Sequence, residues 1–506
     1  MKVLKETGLH KEVFGKTTRQ TFRRQPELIE VPYLLDVQMQ SFKRFLSQGI
    51  RDVLDEFNPI TDYSGKVEIY FLDFYIADEE KYTVAECLRR GQMYVKPLKV
   101  KVRVVFKETG EVIEHEVFLG DIPMMTKSGY FVINGVARVI VNQIIKSPNV
   151  YFEEKEYKKT HRKDTIECTI TPTHGTYIEL LKDSSDMINV YPNKSNRIKV
   201  SLGTFLKGIG LGSDEDVLKL FGDHPIIAGI LKKDKQSKEP LVTKEDCLLE
   251  MSRKMRSSEL PSAEAMENTL NNMFFTFPNY DLAMVGRYKF NKKLCIASRI
   301  VKQIAAADIK VGKEVVVKAE EEISKDVAEK IQNAGINSVT VLNENGDAVL
   351  VVGNNRVELN KYLVERGLGE IKDSGINELV HLPTLVAVIE SATKDNKVNE
   401  KELKKLVTEN ARSLVGRHLY KDDIIATVSY MLNLTDSVGA FDNIDHLGNR
   451  RLNTVGDLMA RHFKDGMLKL RQTMRDSMQT MELSAKAINP LNIINAKAIS
   501  RALKDF

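Results

Sequence analysis

A chain of 506 residues with 42% hydrophobic and 29% charged side chains can bury more than one core, and this composition excludes a disordered or fibrous protein. Its formal charge of +5 permits a nucleic-acid partner without demanding one, because local clustering matters more than the sum. No apolar run approaches the roughly 20 residues that a membrane helix needs, and MKVLKETGLHKEVFGK lacks a signal-peptide core, so a cytoplasmic chain with no membrane partner is expected.

In chain order, residues 1–25 are polar and basic and read as an arm. Strand patterns dominate from Val67 to Val150. VKVRVVFKETGEVIEHEVFLG is two alternating segments joined across Glu108-Thr109-Gly110, and FVINGVARVIVNQII turns at Asn134-Gly135. TIECTITP and GTYIELL continue the strands to about Leu181. Helical periodicity begins near Ser213, where S-D-E-D supplies an N-cap and an acidic first turn, and recurs at Ala263–Phe274. Ile309 to Leu363 is β-rich, with turns expected at Asn345-Gly346 and Gly353-Asn354, and reads as an inserted subdomain over about 300–365. Helices return from Asn399 to Leu434. In the last long helix Met459, Phe463, Met467, Leu470, Met474, Met478 and Met481 keep to one face, and Arg461, Lys464, Lys469, Arg471 and Arg475 take the others. The pattern predicts a multidomain α+β protein with mixed antiparallel sheets and helices.

Little suggests catalysis. Cys87, Cys168, Cys247 and Cys295 are scattered without C-x-x-C spacing, which predicts reduced, packed thiols rather than a zinc site. GIGLG at Gly208–Gly212 lacks both the G-x-G-x-x-G spacing of a dinucleotide loop and the lysine–serine or lysine–threonine pair of a phosphate loop. No H-E-x-x-H, G-x-S-x-G or D-x-D-x-D pattern occurs, and the nine histidines are dispersed. The residues point to a binding scaffold with no catalytic residue, no metal and no cofactor of its own.

FDNIDHLGNRRLNTVGDLM, Phe441 to Met459, crowds hydrogen-bonding side chains into one turn ahead of a helix. Asp445 can accept from the ring N–H and amine of an unpaired guanine, Arg450 and Arg451 can fork onto phosphate or base oxygens, and His446 and Asn449 can bridge to backbone or sugar. The alternative is an Asp–Arg brace that only starts the helix.

IDHLGNRR, followed by a Val-Gly pair and a long helix, resembles the N-terminal part of the bacterial DNA-directed RNA polymerase β subunit. So do GDIPMMTKSGYFVINGVARVIVNQIIKSPNVYF, ECLRRGQMYVKPLKVKVRVVFKETGEV, YDLAMVGRYKFNKKL and the closing NIINAKAISRALKDF, and the resemblance runs from about Arg24 to the end. It implies a discontinuous protrusion at 26–134 and 452–506 and a lobe at 138–448, flanking a channel for downstream and unwound DNA. It also implies partners: DNA, the α, β′ and sigma subunits, and the rest of β. The catalytic magnesium would be held by β′, so this chain alone is expected to be inactive. Family members continue past the position of Phe506 into the fork region with its rifamycin-contacting loop. The alternative is a stand-alone DNA-binding or polymerase-interacting protein from a truncated or split gene.

Residue by residue, the resemblance places Lys146, Ile444, Asp445 and Arg450 in a pocket for a non-template base. It places Tyr177 at a position that stacks on a neighbouring base; Arg451, read from the turn's own chemistry and not from the resemblance, is expected to serve a phosphate of the DNA or to brace the helix start. Lys194, Arg197 and Lys199 retain part of a basic run for phosphates. Arg138, Val141 and Gln143 match the upstream edge of the rifamycin pocket. The sequence departs from the family at several of these contacts: lysine for arginine at Lys146, tyrosine for tryptophan at Tyr177, alanine for glutamate at Ala137 and asparagine for glycine at Asn149. Lysine keeps the charge but loses the planar fork. Asparagine tolerates a left-handed backbone, so a turn at Asn149 is expected to survive.

Overall fold

The structure is a computed structural model that describes residues 10–21, 33–155, 165–194, 196–237, 239–255, 260–312, 314–371, 374–394, 397–398, 400–480 and 490–504. Met481, the last residue of the expected methionine stripe, lies outside them, as do residues 1–9 and 22–25 of the arm. What is described of the arm is a hairpin, His10–Phe14 against Thr17–Thr21. The chain divides into two compact units, Met1–Gln143 with Leu452–Phe506, and Ile144–Arg451.

In the first unit an antiparallel sheet runs Ile60–Thr61, Val67–Ile76, Val95–Phe106, Val112–Pro123. Leu98, Val100, Val102, Val104 and Phe106 are buried and alternate with Lys99, Lys101 and Arg103, the period-two pattern of a sheet with one covered face. The outer face is laced across strands, Lys101 to Glu114 at 3.0 Å and Arg103 to Glu114 at 2.6 Å. The turn expected after Phe106 forms, with Gly110 at φ +73°. So does the tight turn at Asn134 and Gly135, both at positive φ, between Phe131–Ile133 and Val136–Arg138.

Helix Val455–Thr480 joins the core of this sheet through Met459, Phe463, Met467, Leu470, Met474 and Met478, all buried. Asp457 in its first turn reaches back to the residue before the helix, accepting from the Thr454 N–H and hydroxyl at 3.1 and 2.8 Å. Gly456, from the Val-Gly pair, lies against Ser41 of helix Asp36–Arg44: its N–H donates to Ser41 Oγ at 2.9 Å, and a Cβ there would stand 2.3 Å from the Ser41 carbonyl oxygen. Only glycine permits that approach. Lys464 departs from the expected solvated face. It is buried and pairs with Glu56 at 2.8 Å, because helix Ile50–Phe57 covers that side.

The second unit is built on a five-stranded antiparallel meander, Asn149–Lys155, Thr165–Thr171, Ile178–Lys182, Ile188–Tyr191 and Val200–Ser201. All seven residues of Thr165–Thr171 are buried. Helices including Leu202–Gly208, Pro225–Lys235 and Lys244–Met255 share its core. The expected cap at Ser213 is a reciprocal one, Ser213 with Asp216 at the start of Asp214–Leu220. Asn149 does not keep a left-handed turn. It opens a strand in register with Thr171, where extended backbone suits asparagine as well as any residue.

Ile304–Ala305, Ser338–Leu342 and Ala348–Val352 form a small sheet over helix Lys325–Asn333, with a hydrophobic cluster of their own around Ile300, Ile331, Val341 and Val351. Asn343 Oδ1 accepts from the N–H groups of Asn345 and Asp347 and fixes the hairpin at Gly346. The turn expected at Gly353-Asn354 does not form there. Asn354 is fully buried and Asn355 carries the positive φ, since this segment is pulled inward by side-chain hydrogen bonds.

All four cysteines are free and buried, and no helix among the described residues is long and apolar enough to cross a membrane.

Candidate nucleic-acid interface

The turn Asp442–Arg450 is held by its own side chains and by two other motif segments of the second unit. Asn443 Oδ1 accepts from Asp445 N–H at 3.0 Å, and His446 Nδ1 accepts from Gly448 N–H at 3.0 Å. Asn449 Nδ2 donates back to the Asn443 carbonyl at 2.8 Å. His446 Nδ1 and Asn449 Nδ2 therefore serve the turn itself. Gly448 makes room for the cap: a Cβ would come within 2.9 Å of His446 Nδ1.

Beneath the turn lies SPNVYF. Ser147 N–H donates to the Asn449 carbonyl at 2.9 Å, and Tyr151 Oη donates to the same oxygen at 3.2 Å and to Ser147 O at 2.6 Å. Burial and then the nearby Asp442 carboxylate raise the Tyr151 pKa, so the hydroxyl stays a donor. Asp442 exchanges backbone and side-chain bonds with Phe152, its N–H donating to Phe152 O at 2.9 Å and its carboxylate accepting from Phe152 N–H at 2.8 Å.

The third segment is helix Ala283–Leu294, from YDLAMVGRYKFNKKL. Lys293 donates to both Asp442 oxygens at 2.5 and 2.6 Å and to Val150 O at 2.7 Å, and Lys289 donates to Gly448 O. Burial pulls the Lys293 pKa down, and Asp442 opposes it. Sequence reasoning passed over Tyr151, Lys289, Lys293 and Asp442 as supports, although each lies inside a quoted motif. The signal was the company they keep, lysines at i and i+4 on one helix with a phenylalanine between.

On this base Asp445 and Arg450 pair at 2.5 Å with side chains 85% and 42% exposed, so both still present polar atoms to solvent. Ile444 and Arg451 are half-buried beside them. Lys146 is exposed, 3.5 Å from Glu153, with its ammonium 5.6 Å from the centre of the Tyr151 ring. Lys146 thus stands at Tyr151, whose hydroxyl bonds the carbonyl of Asn449, the residue before Arg450.

The other candidates stand apart from this turn. Tyr177 is 45% exposed, and its carbonyl accepts from Lys194 N–H at 3.0 Å. The Lys194 ammonium is committed to Glu167 at 3.2 Å and Glu179 at 3.4 Å, which leaves it little charge to offer a phosphate. Arg197, at φ +49°, and Lys199 are exposed. Arg138, Val141 and Gln143 belong to the first unit and are exposed there. Among the described residues no group of three histidine, cysteine or acidic side chains could hold a metal ion.

The family model described as RNA polymerase beta subunit matches residues 33–501. The chain belongs to the RNA polymerase beta subunit family. It is similar to the DNA-directed RNA polymerase subunit beta of Clostridioides difficile, 39% identical over 500 residues, 98% of this chain and 39% of that protein. The subunit beta of Clostridium beijerinckii is 39% identical over 505 residues, again 98% and 39% of the two chains. That of Caldicellulosiruptor saccharolyticus is 39% identical over 495 residues, 97% and 39%. The chain spans about two-fifths of the length of these relatives, in agreement with the family seen in IDHLGNRR and the other motifs.

Proposed function

We propose that this chain is the N-terminal part of the β subunit of a DNA-directed RNA polymerase and holds downstream and unwound promoter DNA during transcription. In this reading the unit 1–143 with 452–506 is the protrusion and the unit 144–451 the lobe. DNA, α, β′, sigma and the remainder of β are its partners, and the nucleotidyl-transfer chemistry with its magnesium belongs to the assembly through β′. Family membership supports the subunit, and the rigidly braced turn supports the contact.

The observation that carries the contact is the Asp445–Arg450 pair, solvent-facing on a turn tied down from below by Ser147, Tyr151 and Lys289. A carboxylate so presented matches the two adjacent N–H donors of a flipped-out guanine, while the thymine carbonyl would repel it. Lys146 closes one side of the pocket, and Tyr177, Arg197 and Lys199 meet the same strand further along.

Asp445→Ala in the reassembled polymerase should erase the guanine preference at one non-template position. About 1–3 kcal/mol of discrimination, roughly 5- to 150-fold in promoter-complex lifetime, is at stake. Salt dependence should stay nearly unchanged, since no phosphate contact is lost. Arg451→Ala should weaken binding without regard to base. An intact preference together with a lowered melting temperature would mark the Asp445–Arg450 pair as a brace alone.

A further inference from the structure

Beside the turn, and lined in part by Gly448 and Asn449, the second unit encloses a cleft of about 600 Å³, within the size range of small-ligand sites. Its wall carries four cations, Lys289, Lys292, Lys293 and Arg299, against one carboxylate, Asp442. Asp442 is already spent on Lys293 and on the Phe152 N–H. Arg299 is buried among protein acceptors, including Ala426 O and Ser429 Oγ. Lys289 gives one N–H to Gly448 O and keeps two, and Lys292 is exposed with no ion pair among the described residues. Partial burial, then the charges of Lys293, Arg451 and Lys292, pull the Lys289 ammonium below its ordinary pKa. The cleft is short of an anion.

A second observation is independent of charge. Asn149, a residue of the cleft wall, is 4% exposed, and its buried side-chain oxygen has no hydrogen-bond partner within the protein. A buried acceptor left empty is costly until a donor reaches it. Tyr288 on the same wall is half exposed and offers a ring face.

We propose that this cleft binds a phosphate ester that also carries N–H or O–H donors, in chemistry a nucleotide. Lys289 and Lys292 take the phosphate, Asn149 Oδ1 accepts from sugar or base, and Tyr288 provides the stacking face. The nucleotide is either free or one member of a DNA strand. The site uses none of the side chains assigned to the base pocket, and its test reads no base preference, so either reading can fail while the other stands.

Calorimetric titration of the 506-residue chain with GDP, with inorganic pyrophosphate and with a tetrathymidylate tests it. GDP should bind once per chain. Lys292→Ala and Asn149→Ala should each weaken it about tenfold, the size of one such hydrogen bond. Pyrophosphate should lose affinity with Lys292→Ala and not with Asn149→Ala. Binding of tetrathymidylate in place of GDP, with the same sensitivity to both variants, keeps the site and assigns it to a DNA strand. If neither GDP nor tetrathymidylate binds, or if both variants bind as the parent does while keeping its circular dichroism spectrum, the proposal is overturned.

Discussion

Two arginine–aspartate pairs of the second unit carry the same chemistry in opposite settings. Arg287 and Asp423, 136 residues apart, meet at 2.9 Å with both side chains wholly buried. Arg450 and Asp445, five apart, meet at 2.5 Å with both exposed. Each nitrogen of Arg287 is used: Nη1 bonds the Asp423 carboxylate, Nε bonds Gly416 O at 2.8 Å and Nη2 bonds His418 O at 2.5 Å, while Asn354 adds a bond to Asp423 at 3.1 Å. Burial alone would raise the Asp423 carboxyl; Arg287 and Arg356 overcome it and bring its pKa down to about 2. The difference teaches where each pair acts. One joins the segments at 287, 354, 416–423 into a single core, and the other leaves its polar atoms available to an outside partner.

The comparison breaks most readily at the buried end. Asp423→Ala leaves Arg287 charged without its partner and should cost about 3–5 kcal/mol, read by urea unfolding. The Arg287→Met, Asp423→Leu double variant should lose less than the single one. Equal losses would mean that the pair is a packing element and not an electrostatic one.

A middle-sized effect is expected from pH. Burial, then the charge of Arg287, hold His418 at about 4 against 6.5. The folded value is the lower one, so the unfolded chain takes the proton first as pH falls. Stability is therefore whole above pH 6.5 and declines between 6.5 and 4. The Asp423 loss sits lower, between 3.8 and 2. His418→Gln should flatten the melting-temperature profile over pH 6.5 to 4, and an unchanged slope would remove His418 as its source. The smallest effect belongs to the exposed pair. A double-mutant cycle on Asp445 and Arg450 should give a coupling under about 1 kcal/mol, reduced further by salt, whatever the variants do to base preference.

Much of this was legible where the signal is local. The methionine face of Val455–Thr480, the turns at Gly110 and Gly135, and the cap at Ser213 follow from periodicity and turn chemistry within a few residues. The network around Arg287 was not, because its members lie in four separate segments and each taken singly is an ordinary polar residue. Helices Lys325–Asn333 and Leu382–Ser391 were missed for a related reason: the first is brief amid strands, and LPTLVAVIES carries the β-branched residues of a strand. Lys464 shows the limit of a helical wheel, since a second covering helix turns a face from wet to buried. At the turn, the motif told which residues cluster but not their division of labour. His446 and Asn449 shape it, and Asp445 and Arg450 face out.

The close approach of Gly456 to Ser41 spans 415 residues of chain. On a ribosome adding roughly 5–20 residues per second, the segment from Leu452 would appear about 15–60 s after Gln143. For that interval the sheet from Val67 to Pro123 has been made, yet the long helix that shares its apolar core has not. The second unit, wholly contained in the intervening stretch, can finish first. Synthesis of this protein thus has a built-in waiting period, during which the part of the apolar surface that the long helix covers is left without that cover.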